Sequence, residues 1–171
     1  MPAMTLLGWF HTIMGIAALV LAIVSIYRYS FIRSTDKEGA AYLVITVIVA
    51  GSALGIYNQG GFGIAHILAI LTLGAALGGF ILERVSIFGK ASPYFQSIAS
   101  SATILFHMMP AITDFLRRLP VGDPFIDSFE SPLLQGFHLG FLGLYVLGVL
   151  AQCYRLRSAS GSNTTTPVAT S

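Results

Sequence analysis

The segment that decides the fold covers residues 62–82 and reads FGIAHILAILTLGAALGGFIL. It contains no Asp, Glu, Lys or Arg, and it ends directly before Glu83 and Arg84. A helix needs about 20 mostly apolar residues to cross the roughly 30 Å hydrocarbon core of a bilayer. The segment therefore predicts a membrane-spanning helix, and its single histidine, His66, is a candidate functional group because ionisable residues are costly inside a membrane.

The composition extends this prediction to the whole chain. Of the 171 residues, 55% are hydrophobic and 9% are charged, and the mean hydropathy is +0.80. Soluble domains usually carry about 25% charged residues, so the composition excludes a soluble globular protein. The formal net charge of +2 is too small to indicate a nucleic-acid partner. The single cysteine, Cys153, excludes an internal disulfide and a CxxC motif.

Four further apolar segments have the length of a spanning helix. They cover approximately residues 4–27, 39–57, 92–116 and 131–155. The last two open on a Ser-Pro pair, in which Ser can cap the helix and Pro fits its first turn. We therefore expect an all-α polytopic bundle of five transmembrane helices in residues 1–157. Residues 158–171 are rich in Ser and Thr and are predicted to form a disordered cytoplasmic tail.

The basic residues predict the orientation of this bundle. With the N-terminus outside and the C-terminus inside, seven of the nine Lys and Arg residues are cytoplasmic: Arg28, Arg33, Lys37, Arg84, Lys90, Arg155 and Arg157. The outer side then receives only Arg117 and Arg118. Because short cytoplasmic loops are enriched in Lys and Arg, this orientation is favoured over the reverse one.

The four histidines lie in four different predicted spans and, in this orientation, in the outer half of the bilayer: His11, His66, His107 and His138. At 1.5 Å per residue, His107 is roughly 13 Å deep and the other three are roughly 6–11 Å deep. Imidazole binds zinc, copper and iron, and two histidines on facing helices suit a haem iron. We predict that the four form a cofactor site for haem b or for a zinc or copper ion. His66, His107 and His138 would be ligands, and His11 a ligand or hydrogen-bonding partner.

The fourth span carries a polar stripe that includes His107. At 100° per residue one sector holds Gln96, Ser100, Thr103, His107, Pro110 and Asp114. Such a stripe faces protein or water rather than lipid. Asp114 is therefore a predicted member of the metal site, orienting an imidazole or relaying protons to the outer surface. Its alternative role is an ion pair with Arg117 or Arg118.

Two other functions remain open. Glycines four apart occur in three spans, at Gly51 and Gly55, Gly74 and Gly78, and Gly136 and Gly140. They predict close helix packing, and they also suit a non-catalytic subunit of a larger membrane complex or a homo-oligomer, in which the histidines would be interfacial or packing residues. The third possibility is a membrane enzyme that acts on a quinone or a lipid. Three tyrosines near predicted helix ends, Tyr27, Tyr42 and Tyr57, are interpreted as interfacial aromatics without a further role.

Three stretches carry a resemblance: GGFGIAHILAILTL at residues 60–73, FHMMPAITD at 106–114 followed by Arg118-Leu119-Pro120, and GWFH at 8–11. They resemble a family of small, uncharacterised bacterial inner-membrane proteins with several spans and histidines in the helices. The resemblance covers roughly residues 5–157. It implies a location in the bacterial inner membrane and no established activity. Such families often carry Glu where this chain has Asp114, so the carboxylate is kept.

Overall fold

Five α-helices make up the part of the chain that the structure describes, residues 5–57 and 61–162 of this computed structural model. They are α1 (Leu6–Tyr29), α2 (Lys37–Ala53), α3 (Ile64–Arg84), α4 (Ser92–Arg118) and α5 (Pro132–Ser162). These residues contain no strand, so the all-α prediction is confirmed. Because α5 continues to Ser162, residues 158–162 of the predicted tail are helical, and the rest of that tail lies outside the described residues.

Three of the helices are long and apolar enough to cross a membrane: α1, α3 and, in α5, the range Pro132–Ser160. The other two depart from a simple apolar span for different reasons. α2 has 17 residues and is about 26 Å long at the usual helical rise. α4 has 27 residues, but many of its side chains are polar. The molecule therefore has the helices of a membrane protein.

The helix ends follow from local sequence. The hydroxyl of Thr5 accepts the N–H of Gly8 at 3.1 Å and caps α1. Ser30 adopts the left-handed conformation (φ 67°) and ends that helix. Pro93 lies in the first turn of α4, as predicted, but Ser92 does not cap it. Ser92 is already the first helical residue, and its hydroxyl accepts the N–H of Phe88.

Consecutive helices run in opposite directions, and this gives the bundle two ends. The start of α1 meets the end of α2, where His11 contacts Val49. Ser101 near the start of α4 meets Gln152 near the end of α5. One end, called here the histidine end, holds the starts of α1, α3 and α5. The opposite end, called here the basic end, holds seven Lys and Arg residues: Arg28, Arg33, Lys37, Arg84, Lys90, Arg155 and Arg157.

α4 is the central helix, since it packs against α3 and α5 and also touches α1. At its contact with α3, a Cβ on Gly79 would lie only 2.7 Å from Ser100 Oγ. The absence of a side chain at Gly79 therefore lets these two helices come together. α5 packs mainly on α4, and most of its other surface is exposed.

The glycines predicted to bring helices together do not do so within the chain, with one exception. A Cβ would meet nothing within 4 Å at Gly51, Gly74, Gly78, Gly136 and Gly140. At Gly55 a Cβ would reach Leu7 at 3.4 Å, which is ordinary contact distance. The prediction was wrong because spacing along a helix does not show which way the helix is rotated, and these five glycines face outward.

Two of the connections between helices, one at each end, are held by hydrogen bonds. At the basic end, the carboxylate of Glu83 accepts the backbone N–H groups of Ser34 (2.7 Å) and Thr35 (3.2 Å), which ties the α1–α2 connection to α3. At the histidine end, the connection between α4 and α5 folds back. Ile126 donates its N–H to the Leu116 carbonyl at 3.2 Å and is 5% exposed. This connection is therefore structured.

Candidate histidine site

All four histidines lie toward the histidine end of the bundle, but at different levels. His66 and His138 are near the first turns of α3 and α5. His11 lies opposite the last turns of α2, where it contacts Ser52. His107 is farthest from the end, and the centroid of its ring is 6.3 Å from that of Tyr42. Their hydrogen bonds separate them into two kinds.

His107 has one ring nitrogen fixed and the other one free. It is 8% exposed, and its Nδ1 lies 2.8 Å from the carbonyl oxygen of Thr103, one turn earlier in α4. A carbonyl can only accept, so Nδ1 carries the hydrogen and Nε2 keeps its lone pair. Nε2 is buried and has no hydrogen-bond partner within the described ranges. His107 therefore presents an unused electron pair to the interior of the bundle.

His11 adopts the same tautomer. Its Nδ1 lies 3.1 Å from the Val49 carbonyl and 3.0 Å from Ser52 Oγ. The hydroxyl of Ser52 donates to the same Val49 carbonyl at 2.8 Å, so its oxygen is left to accept from His11. Nδ1 of His11 is thus a donor and Nε2 carries the lone pair. His11 and His107 lie on α1 and α4, two helices that touch each other.

His66 has the opposite arrangement. Its Nδ1 accepts the backbone N–H of Gly63 at 3.1 Å and closes the start of α3. The neutral ring must then carry its hydrogen on Nε2, which is buried and has no partner among the residues that the structure describes. The ring is held between Tyr57 and Phe62, with centroid distances of 4.7 and 5.1 Å. His66 therefore caps and packs the helix start, and its buried nitrogen is a donor.

His138 joins α5 to α4. Its Nε2 lies 3.3 Å from Thr113 Oγ1 and 3.4 Å from the carbonyl oxygen of Met109. The Thr113 hydroxyl itself donates to that carbonyl at 2.7 Å. Both oxygens are therefore placed to accept, and His138 donates through Nε2. This long, shared hydrogen bond orients the ring across the helix interface.

Asp114 lies at the edge of this region. Its side chain is 56% exposed and accepts from Nε of Arg118 at 3.2 Å, which is the ion pair expected one turn away. Among the residues that the structure describes, Asp114 makes no hydrogen bond to an imidazole. Arg117, the other candidate partner, stacks its guanidinium over Phe129 at 4.0 Å.

The predicted ligand set is not gathered at one point. Among residues 5–57 and 61–162, no three His, Cys, Asp or Glu side chains are grouped so that they could hold a metal ion together. His66, His138 and Asp114 are instead engaged in separate local contacts. The remaining pair, His11 and His107, shares one tautomer and one region of the interior.

The sequence interpretation missed the role of Tyr42. This tyrosine is completely buried, and its hydroxyl lies 2.6 Å from Thr103 Oγ1. Thr103 donates to the Ser100 carbonyl at 2.6 Å, so Tyr42 is the donor to Thr103. Tyr42 therefore helps to position the turn of α4 that fixes His107. Its place on the stripe of α2 that also holds Gly39 and Thr46 could have indicated this, because residues three and four apart share a helix face.

Buried polar groups continue along α4 toward the basic end. Gln96 donates through Nε2 to the Ile32 carbonyl at 2.7 Å and to Ser100 Oγ at 3.1 Å. Its side chain is 4% exposed. The predicted polar stripe of α4 thus faces protein rather than lipid over this part of its length, and it is satisfied by hydrogen bonds.

Comparison with known proteins adds no relative to this picture. No family model, no curated protein and no solved structure matches the chain. The interpretation of the site therefore depends on the chemistry of its own residues.

Proposed function

We propose that this is a five-span protein of the bacterial inner membrane, with the N-terminus and the histidine end outside. Three helices have the length and hydropathy of spans. The inward-facing polar stripe of α4 supports a fourth, since burial of Gln96, Ser100 and Thr103 leaves the less polar faces of the helix for lipid. α2 packs against both α1 and α3. Seven Lys and Arg at the basic end support a cytoplasmic location for that end.

We further propose that the protein binds haem or a transition metal through His107 and His11, in a redox or metal-handling role. The observation that supports this most is the buried, unpartnered Nε2 of His107. An unsatisfied buried polar atom costs about 1–3 kcal/mol, which a bound metal would offset. Metal-bound histidines typically donate their other N–H to a backbone carbonyl, as His107 does to Thr103.

The number of ligands favours haem over a bare ion. Zinc sites use three or four protein ligands, and the described residues hold no such group. A haem iron is already bound by its porphyrin and would need only one or two further ligands from the protein. His11 and His107 lie on different helices, have matching tautomers and could supply two. A copper or zinc ion completed by non-protein ligands is the alternative within the same proposal.

The test is an absorbance spectrum of the purified full chain in mild detergent, oxidised and then reduced, with metal analysis of the same sample. We expect a Soret band that shifts on reduction, or about one equivalent of a transition metal if haem is absent. His107→Ala should remove the chromophore or the metal, whereas His138→Ala is the matched control and should keep it. Full occupancy in His107→Ala, with unchanged size-exclusion behaviour, would contradict the assignment.

A role as an assembly subunit is a second candidate, supported by a different observation. The glycine faces of α3 and α5 are open, and most side chains of α5 beyond its α4 contact are exposed. In membranes, such faces allow close approach of another helix. Gly78→Leu would then separate the chain from its complex while the isolated chain stays folded. Unchanged co-purification and oligomeric size in Gly78→Leu would argue against this role.

A further inference from the structure

A groove between α4 and α5 is lined by none of the four histidines and reaches the basic end of the bundle. Its volume is about 410 Å³. The residues of its walls that matter below are Ser30, Ser101, Phe141, Gly148, Gln152 and Arg155. The side chains along the middle of the groove are apolar, and the polar ones are concentrated where α5 passes the end of α1.

The polar part of the groove is built by hydrogen bonds between three helices. Gln152, which is 6% exposed, donates to the Ser30 carbonyl at 2.9 Å and accepts from Ser101 Oγ at 2.9 Å. Arg155 donates through one nitrogen to Ser30 Oγ. The side chain of Arg155 is thus held at the mouth of the groove rather than projecting freely.

Arg155 keeps an unneutralised charge at this position. Arg155 is exposed, and within the described ranges no carboxylate lies within ion-pair distance of its guanidinium. A guanidinium has five N–H donors arranged to match a phosphate or a carboxylate. With one nitrogen occupied by Ser30, the others remain available to a ligand that approaches from the membrane.

The shape of the groove matches a lipid chain. From Phe141 to Arg155 it follows α5 for about 21 Å at the helical rise. That exceeds the roughly 15 Å depth of one leaflet's hydrocarbon, so an acyl chain can lie along it from head to tail. Gly148 keeps the groove wide, because a Cβ there would meet nothing within 4 Å.

We propose that this groove binds an anionic phospholipid, with one acyl chain along α4 and α5 and the phosphate at Arg155. The apolar walls accept the chain, and the unpaired guanidinium accepts the headgroup through charge-assisted hydrogen bonds. Two residues then have separate tasks. Gly148 provides room for any lipid chain, and Arg155 provides the preference for a negative headgroup.

The experiment is native mass spectrometry of the full chain in mild detergent, titrated with phosphatidylglycerol or with phosphatidylcholine of the same acyl chains. We expect retention of phosphatidylglycerol to exceed that of phosphatidylcholine by about fivefold, as one arginine near an anionic headgroup implies. Arg155→Gln should abolish this preference and Arg155→Lys should keep most of it. Arg157→Gln is the control for a charge outside the groove.

A second pair of variants tests the chain. Gly148→Leu should fill the groove and reduce retention of both lipids, whereas Gly143→Leu, on the same helix but outside the groove, should leave it unchanged. Both glycines face open space, so neither leucine should disturb folding. Equal retention of the two lipids by the unmodified chain, or unchanged retention in Gly148→Leu, would overturn the proposal.

Discussion

His66 and His107 look alike by burial and differ in chemistry. Both are less than 10% exposed, and each has a buried Nε2 without a partner in the described structure. At His66 the Gly63 N–H donates to Nδ1, so Nε2 is left with the hydrogen. At His107 the Thr103 carbonyl accepts from Nδ1, so Nε2 is left with the lone pair. Only the second can bind a metal through Nε2 without breaking its existing hydrogen bond.

The comparison teaches that a buried histidine without a partner is not by itself a ligand. The backbone group that contacts Nδ1 decides what Nε2 can do. In α3 that group is an N–H freed at a helix start, and in α4 it is a carbonyl already within the helix. His66 at the start of α3 therefore has a structural role, whereas His107 in the middle of α4 is the histidine that can act as a ligand.

The largest effect on stability is expected at the structural histidine. His66→Ala removes the acceptor for the Gly63 N–H and two ring contacts, which should lower the free energy of unfolding by about 2–3 kcal/mol. Thermal melting in detergent, followed by circular dichroism, measures the loss. The bound haem or metal, normalised to folded protein, should stay at the level of the unmodified chain. Loss of the cofactor from the folded variant would show that His66 belongs to the site and that its role is not only structural.

The sequence contains enough information for the helices because long apolar runs and Ser-Pro pairs are local features. Residues 62–82 and 92–116 were predicted as helices, and the structure has Ile64–Arg84 and Ser92–Arg118. The tautomers were not predictable in the same way. They depend on one backbone group beside each ring, and a polar stripe drawn on a helical wheel does not contain that information.

The glycines show the same limit. Gly78 and Gly79 are neighbours in sequence, yet Gly79 alone contacts α4 and Gly78 faces open space. The four-residue spacing predicted that Gly74 and Gly78 pack against another helix. The rotation of α3 about its axis instead places Gly79 against α4. That rotation is set by the packing of several helices together, so it becomes visible only in three dimensions.

The next largest loss of stability is expected from substitution of Gly79, with Gly78 for comparison. Gly79→Ala places a methyl group 2.7 Å from Ser100 Oγ, and we expect a loss of about 1–3 kcal/mol in the free energy of unfolding as α3 and α4 separate. Gly78→Ala is the matched control and should be neutral or slightly stabilising. Equal melting temperatures for the two variants would show that α3 and α4 do not pack closely at Gly79.

A smaller loss of stability is expected from Tyr42→Phe, which tests how Tyr42 positions the turn of α4 that holds His107. It removes the hydroxyl that donates to Thr103, and interhelical hydrogen bonds in membranes contribute about 0.6–1.7 kcal/mol. A double-mutant cycle with Thr103→Val isolates this contribution. The double variant should lose less unfolding free energy than the sum of the losses in the two single variants. Additive losses would show that the two hydroxyls do not interact.

The smallest effect is expected at Asp114, where the two interpretations of the polar stripe differ most clearly. Its ion pair with Arg118 is exposed, and pairs of that kind contribute about 0–1 kcal/mol, so Asp114→Asn should hardly change the melting temperature. Arg118→Gln, which removes the other partner, is the control for the pair itself. If Asp114 is only a surface residue, both variants keep full cofactor occupancy. If Asp114→Asn alone lowers occupancy, the carboxylate contributes to the site, and the site extends to the end of α4 that lies at the histidine end.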